Sequence, residues 1–504
     1  MKNNYLLILF FFFLGNEINA QEWSNIPVPA YAGPGNTWEL QGNLSDDFNY
    51  NFNAVNYKTN FGNGKWYNFY HNAWDGPGTT YWKHNRVKVD GDNLVITVAK
   101  TNNTTKMGIP GVLSGCVTSN NRVTYPVYVE SAISVANISL ASCFWLLSPD
   151  DTQEIDIIEN YGNVPWFKQF THISHHSFIR SPFTDYQPKD WNSWYQDSRV
   201  NGNYGWGDWC WNNGNRRYMR MGVYWVGPEH FEYYIDGQLV RVMYNNATAT
   251  KVDGTWQYQY FNSMSGQFPT NNSSGYTAVT TYATSSNYNF STLQAASNNS
   301  NGISVVDPGN FQGGRGFTKA MDIIINVESQ QWLALNHTPS DSDLASSARN
   351  QMKVDWVRVY KPKSSSGSGS SNGTTCADAP SYNGNSNSYS AGQYVINGGI
   401  LYRKRSDGQW DYIANCGSNS RISDAVVENL AYERISLSPN PAKNFVRISG
   451  LAEGDFEAVI VSLQGNVISS QIVNKEANTL STTHLSPGVY IIKVAGEAQK
   501  LLIN

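Results

Sequence analysis

Glu154, Asp156 and Glu159 stand within six residues of one another, threaded through Ile155, Ile157 and Ile158 and preceded by Phe144-Trp145-Leu146-Leu147. In a strand, residues two apart share a face, so Glu154 and Asp156 point the same way while Glu159 falls one position late. One residue of Ile157 and Ile158 absorbed as a β-bulge returns Glu159 to that face, and bulges are enriched beside active sites. The glutamates then lie four strand steps apart, roughly 13 Å between Cα atoms, and side chains leaning inward on a curved sheet close much of that gap. Carboxyls about 5 to 5.5 Å apart suit a double displacement at an anomeric carbon: one ionised to attack, one protonated to serve the leaving oxygen, and an acid between them to polarise the pair. A solvated acidic edge strand would not alternate its acids with isoleucine directly after an aromatic-aliphatic run.

Such acids need a sheet to hold them, and the composition supplies one. Charged residues are 15% of the 504 and aromatics 14%, with 17 Trp and 31 Tyr, an all-β balance rich in flat apolar faces. Short β-prone runs such as Leu94-Val95-Ile96-Thr97-Val98 and Phe231-Glu232-Tyr233-Tyr234-Ile235 alternate with Gly, Asn, Asp and Pro from Gln21 to about Lys363, which predicts a two-sheet antiparallel sandwich. Residues 255–302, crowded with Ser, Asn, Thr and Tyr, break the rhythm and read as a long loop, either disordered or lining a cleft. A net charge of -4 with no long basic run excludes a nucleic-acid footprint. The apolar run Tyr5 to Leu14 ending at Ala20 has the layout of a secretory signal peptide, residues 1–20, and no other stretch reads as transmembrane. Of five cysteines, Cys116 and Cys143 sit in strand-like runs as buried thiols, Cys210 lies in a Trp-rich loop, and Cys376 and Cys416 are expected to pair.

Glu154-x-Asp156-x-x-Glu159 resembles the bulged signature of glycoside hydrolase family 16. Trp74-Asp75-Gly76-Pro77-Gly78, His172-Ile173-Ser174-His175-His176-Ser177-Phe178-Ile179-Arg180, Asp185-Tyr186-Gln187-Pro188 and Glu232-Tyr233-Tyr234-Ile235-Asp236-Gly237 are similar to the β-agarases of that family. The likeness runs from about Trp23 to Lys363 and implies a β-jelly roll with an open cleft on its concave sheet. It implies Glu154 as nucleophile, Glu159 as acid/base and Asp156 as the residue that tunes them. It also implies Trp74 and Trp145 as faces for a galactose-type ring, and His176, Arg180 and Glu328 as substrate contacts. A structural calcium ion away from the cleft is implied too, on Asp47, the Gly91 carbonyl and Asp355. No cofactor is implied for catalysis. His172, Ser174 and His176 share one strand face, but His175 points away from His176, which argues against a catalytic zinc. The segment from Asn201 to Asn215, with Trp206, Trp209, Cys210 and Trp211, departs from the agarase pattern and is expected, with 255–302, to reshape the cleft ends.

Beyond the catalytic region, residues 364–375 are a Ser/Gly tether. Residues 376–417 resemble a small disulfide-closed carbohydrate-binding module, 418–434 a second linker, and 435–504 the C-terminal sorting domain of type IX secretion. The expectation is an exported or surface-attached monomer, with an agar-type galactan and the type IX machinery as partners. It would be an endo-acting, retaining hydrolase of β-1,4 galactosidic bonds that releases neoagaro-oligosaccharides. A porphyranase or carrageenase on the same scaffold is the near alternative. A non-catalytic polysaccharide-binding protein is the distant one, and three clustered carboxylates have no use there.

Overall fold

The computed structural model describes residues 21–364 except 34, 54, 213 and 214, then 388, 394–397, 400–404, 410–415 and most of 436–503. It divides into two units, residues 1–417 and 418–504.

The first unit is a β-jelly-roll sandwich. Among the described residues, one sheet has nine strands. Its central members are Phe170–Arg180, Gln153–Tyr161, Ala141–Leu147, Met321–Glu328 and Cys116–Val123, in that spatial order. The other has twelve, with Gln351–Ser364, Val127–Ser134 and Met219–Gly227 adjacent near its middle. Alternation along the strands explains the layering. In Met321–Glu328 the odd residues Ile323, Ile325 and Val327 enter the main core with Val129, Val223 and Val357 of the opposite sheet. Asn326 and Glu328 take the other face. Each such aliphatic contributes about 1.5–3 kcal/mol on burial.

The acidic strand carries the bulge that its spacing demands. Against Ala141–Leu147, Phe144 pairs with Ile158 and Trp145 with Asp156, so Ile157 is the extra residue; on the other side Asp156 pairs with Ser174 and Glu159 with His172. Ile157 and Ile158 both turn into the core, and Glu159 and Tyr161 resume the face of Glu154 and Asp156. The strand ends at Gly162, where a Cβ would stand 1.7 Å from the Ala136 carbonyl oxygen; only glycine permits that approach.

Residues 255–302 are not a loop. Thr255–Phe261 and Val279–Ser285 pair as outer strands of the twelve-stranded sheet, and Phe290–Asn298 is a helix whose Leu293 and Ala296 pack on Val242, Trp256 and Tyr258. The abundant Thr and Tyr, read from sequence as loop chemistry, are strand formers on a half-exposed surface. The segment around Trp206 also differs from expectation. Trp206–Cys210 is a short helix, Trp206 and Cys210 are in the main core, and Arg199 lies over Trp206 and Trp209. Cys116, Cys143 and Cys210 are buried free thiols.

In the region of the small module the described strands Tyr394–Asn397, Ile400–Lys404 and Trp410–Asn415 form one antiparallel sheet. Cys376, Cys416 and residues 1–20, the expected signal peptide, lie outside the described residues. Among its described residues the second unit has two sheets around a shared core of Val446, Ile448, Ile460, Ile492 and Leu501.

Candidate active site

The outer face of the nine-stranded sheet forms the floor of a cleft of about 810 Å³. Glu154, Asp156, Glu159 and Tyr161 reach it from one strand, Cys143, Trp145 and Leu147 from the next, and Glu328 and Gln330 from beyond.

Two histidines from Phe170–Arg180 flank the acids. His172 Nδ1 is 2.8 Å from Glu159 Oε2, and its ring stacks on Trp194 with 4.0 Å between centroids. His176 Nε2 is 3.7 Å from Glu154 and 3.4 Å from Asp156, and its Nδ1 is 2.8 Å from Asp185. Although burial favours the neutral ring, the carboxylates of Asp185, Glu154 and Asp156 hold the His176 imidazolium well above its ordinary value. His175 turns to the opposite face and meets the Tyr233 hydroxyl.

These surroundings divide the acids. Burial, then the charge of Asp156, raises Glu154 well above the carboxylate range, with His176 opposing. Asp156 is pushed up to about 6, chiefly by burial. Burial works against ionisation of Glu159 too, but the His172 contact outweighs it and Glu159 is lowered. Glu328, pushed up to about 8 by burial and then by the charge of Glu159, accepts from Asn326 Nδ2 at 2.7 Å and Gln330 Nε2 at 2.6 Å. Gln330 Nε2 also donates to Glu159 Oε1 at 3.0 Å. At neutral pH this row holds both protonated and ionised carboxyls, the condition for acid and nucleophilic chemistry on one substrate.

All of the sequence-predicted cleft residues line this space. Trp74 is 47% exposed at the rim, whereas Trp145 is only 7% exposed, its indole N–H donating to Asn326 Oδ1 at 2.6 Å. The Arg180 guanidinium sits over Phe178 and Phe183, 5.6 and 5.3 Å from the ring centroids. Sequence reasoning missed Trp332, 51% exposed and packed on Phe167 and Tyr161, together with Tyr276, Trp194 and Gln330. Tyr276 is the part of 255–302 that reaches the cleft; none of Trp206, Trp209 and Trp211 does.

Two groups in the cleft have metal-ligand geometry, Glu154 with Asp156 and His176, and Cys143 with Glu159 and Glu328. Both consist largely of the acids already described. Away from the cleft, Asp355 is pushed up to about 7 by burial and by the nearby acids Glu22 and Asp92. Asp47 and Gly91 both adjoin Tyr50, Asp47 through its charge and Gly91 through an N–H to the Tyr50 carbonyl at 3.0 Å.

Comparison with known proteins places this geometry. Residues 38–287 match the model described as β-porphyranase A-D, GH16 domain, and residues 436–504 match the secretion system C-terminal sorting domain. The chain is 42% identical to β-agarase D of Zobellia galactanivorans over 75% of its own length and 82% of that protein. It is 36% identical to a β-agarase of Phocaeicola plebeius, covering 67% of this chain and 90% of the relative. The crystal structure of the β-agarase D catalytic domain superposes with a TM-score of 0.62 at 44% identity, covering 68% of this chain and 99% of that domain. With its bulged acidic strand and these relatives, the chain belongs to the agarase and porphyranase group of glycoside hydrolase family 16.

Proposed function

We propose that the protein is an exported endo-acting β-agarase that cleaves β-1,4 galactosidic bonds of agarose with retention, releasing neoagaro-oligosaccharides. The observation that carries this is the single face shared by Glu154, Asp156 and Glu159 across the Ile157 bulge, flanked by His172 and His176. The sorting domain at residues 436–504 accords with delivery to the cell surface or medium.

Glu154 is the nucleophile. Its ionisation is opposed by burial and by the charge of Asp156, and is favoured by the His176 imidazolium, whose Nε2 lies 3.7 Å from its carboxyl. Glu159 acts as acid/base together with His172, so that a proton held across their 2.8 Å contact is available to the leaving oxygen. The carboxyl of Glu328, kept protonated near neutrality, hydrogen-bonds sugar hydroxyls, and Trp74 and Trp145 offer ring faces. Arg180 and His176 contact the substrate beside them.

A structural calcium belongs to the same proposal. Asp355, Asp47 and the Gly91 carbonyl would hold it, and the crowding of Asp355 by Glu22 and Asp92 is of the kind a divalent cation relieves. The domain limits 21–363, 376–417 and 435–504, the intervening linkers and a monomeric state complete it.

The test is reducing-end release from agarose, porphyran, carrageenan and laminarin assayed side by side, with proton NMR of the product in the first minutes. Agarose is expected to be cleaved fastest, giving the β anomer first. Fastest release from porphyran would move the enzyme to the porphyranase reading, and an initial α anomer would remove Glu159 as partner of Glu154.

Proton sharing gives a second expectation. Activity needs Glu154 ionised, so it falls as pH drops through the Glu154 pKa, which the Asp156 charge raises. Asp156→Asn removes that charge while keeping the shape, and the acid limb of kcat/KM should move to lower pH. An acid limb that stays in place or moves up would separate Asp156 from the nucleophile.

A further inference from the structure

Aromatic rings continue past the cleft. Trp166 and Trp191 are not among the residues lining it, yet each is fixed to one that is. Trp166 meets Phe167 edge-on at 4.7 Å between centroids, and Trp191 meets Tyr276 edge-on at 5.0 Å. The two indoles lie 5.8 Å apart, with Phe170 packed on both at 4.8 and 6.3 Å. They remain 41% and 48% exposed. Two adjacent half-exposed indoles form an apolar patch of the kind that marks a binding surface.

The backbone is strained to present one of them. The Phe167 N–H donates to the Pro165 carbonyl at 2.9 Å, closing a three-residue turn with Trp166 at its centre, φ 67° and ψ -48°. This positive-φ γ-turn is rare for any side chain and rarest for a bulky one. The turn is held from below, where Gln169 Nε2 donates to the Trp166 carbonyl at 2.9 Å. Trp191 is anchored through its neighbour Asp190, whose carboxylate is gripped by the buried Arg241. Both faces are therefore rigid before any ligand arrives, which lowers the ordering cost of binding.

We propose that Trp166 and Trp191 form an accessory subsite for the continuing galactan chain, whose sugar rings stack on the exposed indoles as the polymer leaves the cleft past Phe167 and Tyr276. Continuity selects this occupant, because the rings supporting the two indoles are themselves walls of the cleft. Stacking on the C–H face of a pyranose needs a flat, apolar, preformed surface and no charge. The inference rests on the galactan reading of the cleft.

The test compares the full chain with Trp166→Ala, Trp191→Ala and the double variant on a short agarose oligosaccharide that fills only the cleft and on long soluble agarose chains. The double variant should raise KM for long chains roughly tenfold while leaving kcat and KM on the short substrate unchanged. Trp166→Gly, which relieves the positive φ, should keep the melting temperature and still lose long-chain affinity. Unchanged KM on long chains, or equal losses on both substrates, would overturn the subsite. If the wild type released no reducing ends from any galactan, the reading of the cleft itself would fall; cleavage with an unaffected double variant would remove only Trp166 and Trp191.

Discussion

Glu154→Gln and Glu159→Gln should each lower kcat on agarose by roughly 10²- to 10⁴-fold or more, with polysaccharide affinity nearly intact. The amide keeps the shape of the side chain but neither attacks an anomeric carbon nor delivers a proton. The two variants should part company in stability. Glu154 is raised in the folded protein, so its ionised form is disfavoured there, and wild-type stability falls as pH climbs from the unfolded carboxylate pKa through the folded one. Glu154→Gln removes that loss and should raise the melting temperature at neutral and alkaline pH. Glu159 is lowered through His172, so its carboxylate stabilises the fold above the unfolded pKa, and Glu159→Gln should bring no such gain. Azide then distinguishes their chemistry. With Glu154→Ala, azide attacks a β-linked substrate directly and gives the α-azide; with Glu159→Ala it captures the glycosyl-enzyme and gives the β-azide. Near-normal turnover in either glutamine variant, or the two azides in the reverse order, would break the assignment.

The acidic strand was legible because its chemistry is local. Period-two alternation with one residue too many admits a single bulge, and Ile157 takes it. The same periodicity put His172 and His176 on one strand face, and the pairing of Phe170–Arg180 with the acidic strand brings that face to the acids. What stayed hidden depends on register between distant strands. Nothing near Gln330 in sequence announces that its amide bridges Glu328 and Glu159, because that contact exists only once Met321–Glu328 lies beside Ala141–Leu147. Tryptophan is equally silent about its surroundings. Trp145 and Trp332 are each followed at once by leucine, Leu146 and Leu333, yet one is nearly buried in the floor and the other half exposed at the wall. Residues 255–302 misled for a related reason, since Thr and Tyr serve outer strands as readily as loops when the sheet they join is invisible.

Asp190→Ala should be among the most destabilising substitutions in the first unit, at about 3–5 kcal/mol. Arg241 is fully buried, and its Nη1 and Nη2 donate to the two Asp190 oxygens at 3.1 and 2.7 Å, with Nη1 also donating to Thr250 at 2.7 Å. Removing the carboxylate strands a guanidinium where water cannot reach it. The cost should appear as a melting temperature lower by roughly 5–10 °C, and Asp190→Leu combined with Arg241→Met should recover most of it, since apolar side chains of similar size replace buried ion pairs at little net cost. Recovery of stability need not restore function. The two-pronged contact fixes the direction in which the chain enters the turn Trp191–Ser193, and an apolar contact carries no such directional demand. The double variant should therefore melt close to wild type while keeping a raised KM for long agarose chains. If Asp190→Ala cost less than about 1 kcal/mol, the buried pair would not be what holds the turn that presents Trp191.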